Sequence, residues 1–523
     1  MLVTFNEATV KSRSGYVWHT RPQVAGASRT ALRNIVGPFR PGPTQAAAQA
    51  TTPEQCFRLF ITNEIVNTVV EWTNVKIDQV ARKYKNKTAT VRPTTAAEIC
   101  ALLGVLVFSG YIKDNHLNTK ELWCPVAGAP FYRAAMSEGR FSFLIYCLRF
   151  DDMATREERR VDDNLAPIRS VWDMFMAACE KHYTPHEHLT VDEQLLAFRG
   201  NCPFRMYIPN KPAKYGIKIV MANDVKSKYL LKGIPYLGRR GGQPRDGLQL
   251  GHIFTRDLTR PYHNTNRNVT TDNWFTSVPL SLDMLHNCGM TLVGTLRANK
   301  SEIPEVMKDK NSRRNGTSAF MFTKDMTLVS HIPSAQKRNK KNVLLLSTMH
   351  TQPTVNIENG KPEIIDFYNG TKGGTFDQMC AQYSCSRKTN RWPVCMFYGM
   401  INAAVINSWV IFKANNDRVG GKKMKRRQYM HEMALQLIKP NAQQCLNAPT
   451  QHKKVKAIIT QVCSINPSGM VAGAGPSAAE MREPMVRCKK CESKADKKTR
   501  FRCHSCRQPV CQSHYYPYCC DCV

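Results

Sequence analysis

The stretch Leu189-Thr190-Val191-Asp192-Glu193-Gln194-Leu195-Leu196 decides how the rest of the chain is read. Its apolar residues alternate up to Asp192, the pattern of a strand that delivers one carboxylate to its end. The run FRGNCPFRMYIPNKPAKYGIK follows at once, with Arg199, Arg205, Lys211, Lys214 and Lys218 interleaved with Phe198, Phe204, Tyr207 and Tyr215. A carboxylate suited to a hard metal, set beside cations that can hold phosphates, is what phosphodiester chemistry needs. For a single aspartate, an ordinary strand with a polar end and a solvated basic loop is the better explanation of the same residues. The rest of the chain has to answer it.

Moving outward toward the C-terminus, the texture is β-rich. YGIKIVMAND and KYLLKGIPYLG read as adjacent strands, followed by a Gly-rich turn at RRGGQPRDG. RNVTTDNWFTSVPLSLDMLHNCG reads as a strand ending at Asp272 and then a helix, and TLVGTLRANK as a further strand. Three strands, then strand-helix-strand, fit an RNase H-like α/β core. Residues 299–362 interrupt it as an insertion, with short strands such as DMTLVSHI and NVLLLSTM among basic loops. IIDFYNGTKGGTFDQMCAQYS then reads as a strand, a Gly turn and the start of a helix carrying Asp377.

Outside this core the apolar spacing is three and four, which is helical, and Trp72 and Trp172 fall on faces best explained by core packing. The expected organisation follows. Residues 1–40 form a disordered basic N-terminus, and 41–187 the first part of a helical domain. Residues 188–298 form the first part of the core, 299–362 the insertion, and 363–383 the last part of the core. Residues 384–462 complete the helical domain, 463–486 are a Pro/Gly/Ala/Ser-rich linker, and 487–523 a cysteine-rich domain.

With 523 residues, a hydrophobic fraction of 42% and a formal net charge of +34, the chain reads as a multidomain globular protein with a polyanionic partner. Nucleic acid leads, because no lipidation signal and no basic amphipathic helix of note point to a membrane. The opening MLVTFNEATVKS lacks the pattern of a signal peptide, and Ile99–Ile112 is too short to span a bilayer. Eight of the 20 cysteines follow Met485 and the others are scattered, which argues for a reducing compartment with one metal-binding tail. Two basic clusters, Lys337-Arg338-Asn339-Lys340-Lys341 and Lys422-Lys423-Met424-Lys425-Arg426-Arg427, read either as nuclear import signals or as DNA-facing patches.

The tail carries the most specific spacing. Cys488-x2-Cys491, Cys503-x2-Cys506, Cys511-x2-His514 and Cys519-x2-Cys522 supply eight ligands, enough for two closed tetrahedral Zn2+ sites. Interleaving suggests a cross-brace, with Cys488, Cys491, Cys511 and His514 on one ion and Cys503, Cys506, Cys519 and Cys522 on the other. Sequential pairing stays open, because spacing does not set connectivity. A RING-like or histone-reading module is the competing use of such a tail. Glu492-Ser493-Lys494 after Cys491 and the basic surroundings suit DNA better.

LTVDEQLLAFRG, CPFRMYIPNKPAKYGIKI, TTDNWFTS, NGTKGG, DQM, and CSRKTNRWP with YGMINAAVINS together resemble the piggyBac transposases, from about Phe39 to the C-terminus. The resemblance implies an RNase H-like core with an insertion, a helical dimerisation and DNA-binding domain built from both flanks, and a zinc tail that binds terminal repeats. It implies a DDD nuclease using Mg2+ (or Mn2+), cutting and joining double-stranded DNA at TTAA sites as a homodimer in the nucleus. Asp192 and Asp272 match two members of the catalytic triad and its metal site. The family's third motif usually reads Gly-Gly-Val-Asp-x-x-Asp, with the first Asp as the triad member. Here Gly373-Gly374 runs directly into Thr375-Phe376-Asp377, two residues short, so Asp377 matches the second Asp. A ligand misplaced by about 1 Å costs roughly 100-fold in rate, so the expectation is impaired or absent catalysis.

Arg205, Lys211, Lys214, Arg297, Lys300, Arg387, Lys388 and Arg391 are the candidate DNA contacts, the last three anchored by Trp392. Three functions remain in play: an active transposase, a domesticated DNA-binding protein that has lost a triad member, and a zinc-tail module reading chromatin.

Overall fold

The computed structural model describes residues 2–23, 31–84, 88–238, 249–334, 341–421, 423–448, 451–464, 486–491, 498–499, 506 and 508–511. They fall into two units, residues 1–464 and 465–523.

The first unit opens with strands β1 (Thr9–Lys11) and β2 (Val17–His19). These correct the expectation of a disordered segment over residues 1–40. Trp18 is fully buried, its indole Nε1 donates to the Glu302 carbonyl (2.8 Å), and β2 pairs onto a strand some 300 residues later through His19 and Phe322. A short pair, β3 (Gly42–Pro43) and β4 (Tyr183–Thr184), brackets the first helical stretch.

That stretch holds α1 (Pro53–Arg58), α2 (Asn63–Ala81), α3 (Ala96–Ile112), α4 (Thr119–Leu122), α5 (Pro130–Ala135), α6 (Glu138–Cys147), α7 (Arg156–Asp162) and α8 (Arg169–Lys181). Thr52, Thr62, Thr95 and Ser137 each accept a backbone N–H at a helix start, which is why these helices begin where they do. A buried ion pair ties α3 to α6: the Arg140 guanidinium donates to both Glu98 oxygens (3.0 and 2.6 Å) and to the carbonyls of Thr90, Arg92 and Pro93.

The core strands are β5 (His188–Ala197), β6 (Arg205–Tyr207), β7 (Tyr215–Asp224), β8 (Leu230–Pro235), β9 (Asn268–Thr271) and β10 (Thr291–Thr295), with α9 (Leu250–Thr259) and α10 (Val278–His286) between them. β7 lies antiparallel to β5, while β5, β9 and β10 run parallel in the order β7-β5-β9-β10, with β8 outside β7. This is the RNase H-like arrangement. The insertion carries α11 (Glu305–Lys308), β11 (Ser318–Phe322), β12 (Thr327–His331) and β13 (Val343–Ser347). Rather than standing apart, it extends the same sheet, because β13 pairs antiparallel with β10. Alternation assigns its two faces. Ala319, Met321, Leu344 and Leu346 pack with Trp18 and Val278 on one side, and Phe320, Phe322 and Leu345 with Ile364 and Ile365 on the other.

Glu363–Thr371, read from sequence as a strand, is helix α12. Ile364, Ile365, Phe367 and Tyr368 recur at the spacing of one helical face, and Glu363 and Asp366 lie in the first turn, where acids favour a helix. Then follow α13 (Thr375–Gln382), α14 (Trp392–Arg418), α15 (Arg426–Asn447) and α16 (Lys453–Cys463). α14 is long and apolar enough to cross a bilayer, but 83% of its apolar window is buried inside the protein. Its Asn407 side chain accepts from the Leu230 amide and donates to the Leu230 carbonyl, fastening it to β8. α15 crosses α3 at Gly104, where a Cβ would come within 2.7 Å of Ile438. The two helical stretches therefore pack as one body against the sheet.

In the second unit, β14 (Val486–Arg487) and β15 (Lys498–Thr499) form a short antiparallel ladder.

Candidate active site

Parallel register brings the first two carboxylates together. Val191 on β5 pairs with Thr271 on β9, so Asp192 and Asp272 occupy the next register position on neighbouring strands. Asp192 lies in the middle of β5 rather than at its end, because pairing with β7 continues to Ala197 and Gly216. Asp272 is the first residue after its strand, which ends at Thr271. Asp192 Oδ1 accepts the Glu193 amide (2.8 Å) and Asp272 Oδ1 accepts the Trp274 amide (2.9 Å). Among the described residues, no Lys or Arg forms an ion pair with either.

Burial pushes the Asp192 carboxyl up to about 6, the charges of Asp272 and Glu193 adding to it while the Glu193 amide and Lys211 oppose it. Asp272 is raised as well, chiefly by burial and then by Glu193, against the Trp274 amide, Lys218 and Arg297. Two adjacent half-buried carboxylates without a cation between them suit a divalent metal, which would relieve both the repulsion and the lost hydration.

The Gly373-Gly374 turn lies directly on this pair. A Cβ at Gly373 would meet Asp192 Oδ2 at 2.5 Å and Asp192 Cβ at 2.6 Å, so only glycine allows the approach. Gly374 takes a left-handed φ of 102° and caps α13. Asp377, three residues on, accepts a hydrogen bond from Gln194 Nε2 (3.0 Å). Gln194 shares a strand face with Asp192 but lies one step along, and Asp192, Asp272 and Asp377 do not each bring an oxygen within 4.8 Å of the others. The structure thus assembles two carboxylates and sets the third beside them.

Glu193, Lys218, Trp274 and Tyr368 complete the surroundings; sequence reasoning gave Glu193, Trp274 and Tyr368 no part in the site and read Lys218 as a phosphate-holding cation. Lys218 is buried, pairs with Glu193 Oε2 (3.1 Å) and sits 3.7 Å over the Trp274 ring, so it is not a free phosphate contact. The Tyr368 phenol is raised by burial above all, with smaller contributions from Asp272 and Asp192 and an opposing hydrogen bond to Thr295. The strands that carry Glu193 and Lys218 are legible locally, whereas Tyr368 comes from α12, and the convergence of all four is not legible.

The candidate DNA contacts divide. Lys211 Nζ donates to the Glu193 carbonyl (3.0 Å) at the edge of the site, and Arg297 reaches Asn273 (3.3 Å) just past Asp272. Lys300 donates to Gln249 (2.8 Å). Lys214 and Lys388 are exposed, as is Arg205, which braces the Arg199 and Gly200 carbonyls. Arg391 goes elsewhere. Its guanidinium donates to the carbonyls of Ile145, Tyr146 and Leu148 at the end of α6, and burial lowers it to about 10. Arg387 likewise donates to the Leu117 carbonyl (2.7 Å), and Trp392 packs on Phe204 instead of anchoring a phosphate grip.

In the second unit the sulfurs of Cys488, Cys491 and Cys511 lie within 4.8 Å of one another, and the Cys511 amide donates to Cys488 Sγ (3.2 Å). A soft, closely spaced thiol set of this kind fits Zn2+. Joining the first Cys pair to Cys511 is the cross-brace pairing, whereas Cys503, His514, Cys519 and Cys522 lie outside the described residues.

Comparison with known proteins agrees with this geometry. The family described as Transposase IS4 matches residues 52–409. The human PiggyBac transposable element-derived protein 2 is 22% identical over 388 residues, covering 70% of this chain and 62% of that protein. Human PiggyBac transposable element-derived protein 3 is 21% identical over 406 residues, covering 74% of this chain and 65% of that protein. The chain thus spans under two thirds of the length of these curated relatives. In the cryo-EM structure of a piggyBac transposase synaptic complex with hairpin DNA, the matching chain is 42% identical, with a TM-score of 0.78 over 93% of this chain and 100% of that one.

Proposed function

This chain belongs to the piggyBac family of transposases, and from that premise we propose that it binds the terminal repeats of a DNA element and cuts and rejoins DNA at TTAA sites by metal-dependent phosphoryl transfer. The observation that carries the reading is the register of β5 against β9, which sets the half-buried Asp192 beside Asp272 on neighbouring strands. When bound there, Mg2+ or Mn2+ would polarise the phosphate and activate the attacking oxygen. The chain's part is to hold two ionised carboxylates in fixed relation and to keep Gly373 packed on Asp192. Lys211 and Arg297 border the pair and are suited to holding phosphate charge nearby. The cysteine-rich unit, with two Zn2+ ions, would bind the repeats, and the protein would work as a homodimer in the nucleus.

A second reading has its own observation. Asp377 is engaged by Gln194, and the three carboxylates do not all converge within 4.8 Å, which favours a domesticated DNA-binding protein of the same fold. Plasmid excision in cells separates the two, using TTAA-flanked ends taken from the DNA bordering this protein's own gene and Asp192→Asn as the control. Seamless, Asp192-dependent repair of the donor supports the enzyme. No excision, with specific binding of those ends, supports the domesticated binder. If the ends are neither cut nor bound, both readings fail.

A further inference from the structure

The basic run 422–427 has two competing uses in sequence, import signal or DNA patch, and its folded form separates them. Lys423, Lys425 and Arg427 are exposed, while Arg426 between them is buried at 8% exposure. Arg426 Nη2 donates to Gln382 Oε1 (2.7 Å), and its guanidinium lies 4.9 Å from the centre of the Tyr383 ring. From Arg426 onward the run is the first turn of α15, a turn that contains no acid. A linear import signal has to offer consecutive basic side chains along a free, extended peptide. Here the run changes form at Arg426, where α15 begins, and Arg426 itself is sealed inside, so the basic side chains do not make one continuous exposed row.

The exposed cations instead line a cleft of about 420 Å3 with Tyr111, Gln428 and His431, in which Glu432 is the one carboxylate. Arg427 stacks 4.9 Å from the centre of the Tyr111 ring, and Lys113 lies beside the cleft, 5.4 Å over Tyr383. Among the described residues, Lys423, Lys425 and Arg427 form no ion pair, so their charge is available to a polyanion. Gln382 and Tyr383 close the C-terminal end of α13, whose other end follows the Gly373 contact on Asp192. Eight helical residues span about 12 Å. α13 therefore links the turn packed on Asp192 to the Gln382 and Tyr383 contacts that hold Arg426 beside this cleft.

We propose that the Lys423-Lys425-Arg427 cleft is a docking surface for the sugar-phosphate backbone of the duplex entering the candidate active site, and not an import signal. This rests on the DNA-binding reading above and names the surface that serves it. Backbone contacts of this kind position the duplex and read no sequence.

The test compares the full-length wild type with the triple variant Lys423→Gln, Lys425→Gln, Arg427→Gln, which leaves buried Arg426 in place. Affinity for a short duplex is measured across about 50 to 200 mM salt. Three lost phosphate contacts lower the slope of log affinity against log salt by about 2.7, so the wild type loses about 40-fold more affinity than the variant over that range. Nuclear accumulation stays at the wild-type level. Should the triple variant be unstable, the single change Lys423→Gln lowers the slope by about 1. Equal slopes, or lost nuclear accumulation with unchanged DNA affinity, overturn the proposal. A wild type that binds no duplex overturns the transposase reading itself, and this inference with it.

Discussion

Gly373→Ala probes the contact on which the whole site turns. The new Cβ would stand 2.5 Å from Asp192 Oδ2 and 2.9 Å from Asp192 Cγ, and ordinary contact begins nearly 1 Å further out. The far side of Asp192 is a paired strand, so the carboxylate cannot retreat with its backbone. Either the Asp192 side chain rotates away from Asp272 or the turn lifts and carries α13 with it. A displacement of about 1 Å in a reacting constellation costs roughly 100-fold in rate. The assay is single-turnover cleavage of pre-bound donor DNA, read beside calorimetric Mn2+ affinity and the thermal midpoint. We expect cleavage to fall by about 100-fold and Mn2+ to bind at least tenfold more weakly, with DNA affinity unchanged. Wild-type cleavage and wild-type Mn2+ affinity in a folded Gly373→Ala protein would refute the reasoning, since the turn would then not bear on the carboxylate. The Mn2+ measurement answers even for a protein that does not cleave.

Other consequences are equally direct. The folded Asp192 carboxyl, near 6, lies above its ordinary value, so the native state holds this proton more tightly and stability falls as pH rises from about 4 through 6. Asp192→Asn removes that loss and stabilises the protein by roughly 2–3 kcal/mol above pH 6, with no gain below pH 4 by denaturant titration at each pH. Arg391→Ala leaves three α6-end carbonyls without their donor and destabilises by about 2–4 kcal/mol, while the salt slope of DNA binding stays unchanged. Inserting Val-Asp between Gly374 and Thr375 restores the family spacing and raises excision at least tenfold, and a Val-Asn insertion does not. Cys488→Ser lowers the zinc bound per chain, by elemental analysis of the purified protein, because it removes one thiol of the Cys488, Cys491 and Cys511 cluster.

Much of the core was readable because its signals are local. Alternation in LTVDEQLL and the break after Thr271 place Asp192 on a strand and Asp272 just past the end of another, and the helical spacing before residue 187 and after residue 392 is equally plain. What failed depends on distant partners. Residues 9–19 look like loose polar sequence, and become strands because β11 offers an open edge some 300 residues away and Trp18 fills a pocket against Ile303 and Met307. Ile364-Ile365 fits a strand or a helix, and the face built by Phe320, Phe322 and Leu345 decides for the helix. Charge alone was the least informative guide. Lys218 and Arg391 look like phosphate contacts in sequence, yet one is sealed against Trp274 and the other caps α6.

The parts of the site differ in how firmly the fold holds them, and this bears on how the family chemistry can be lost. Asp192 and Asp272 are placed by the register of paired strands, where a shift of one residue would turn the whole apolar set to the other face. Their adjacency survives for as long as the sheet does, whether or not the protein cuts DNA. The third carboxylate depends on a glycine turn and the first turn of an eight-residue helix, where two residues change the angular position by about 200° at about 3.6 residues per turn. Deletion there leaves the core intact, because Phe376 and Cys380 still bury themselves beneath the helix. An active transposase and a DNA-binding descendant can therefore share the same sheet, the same helical body and the same basic surfaces. What separates them is where the chain places one carboxylate after Gly374, and that is where the Val-Asp insertion acts.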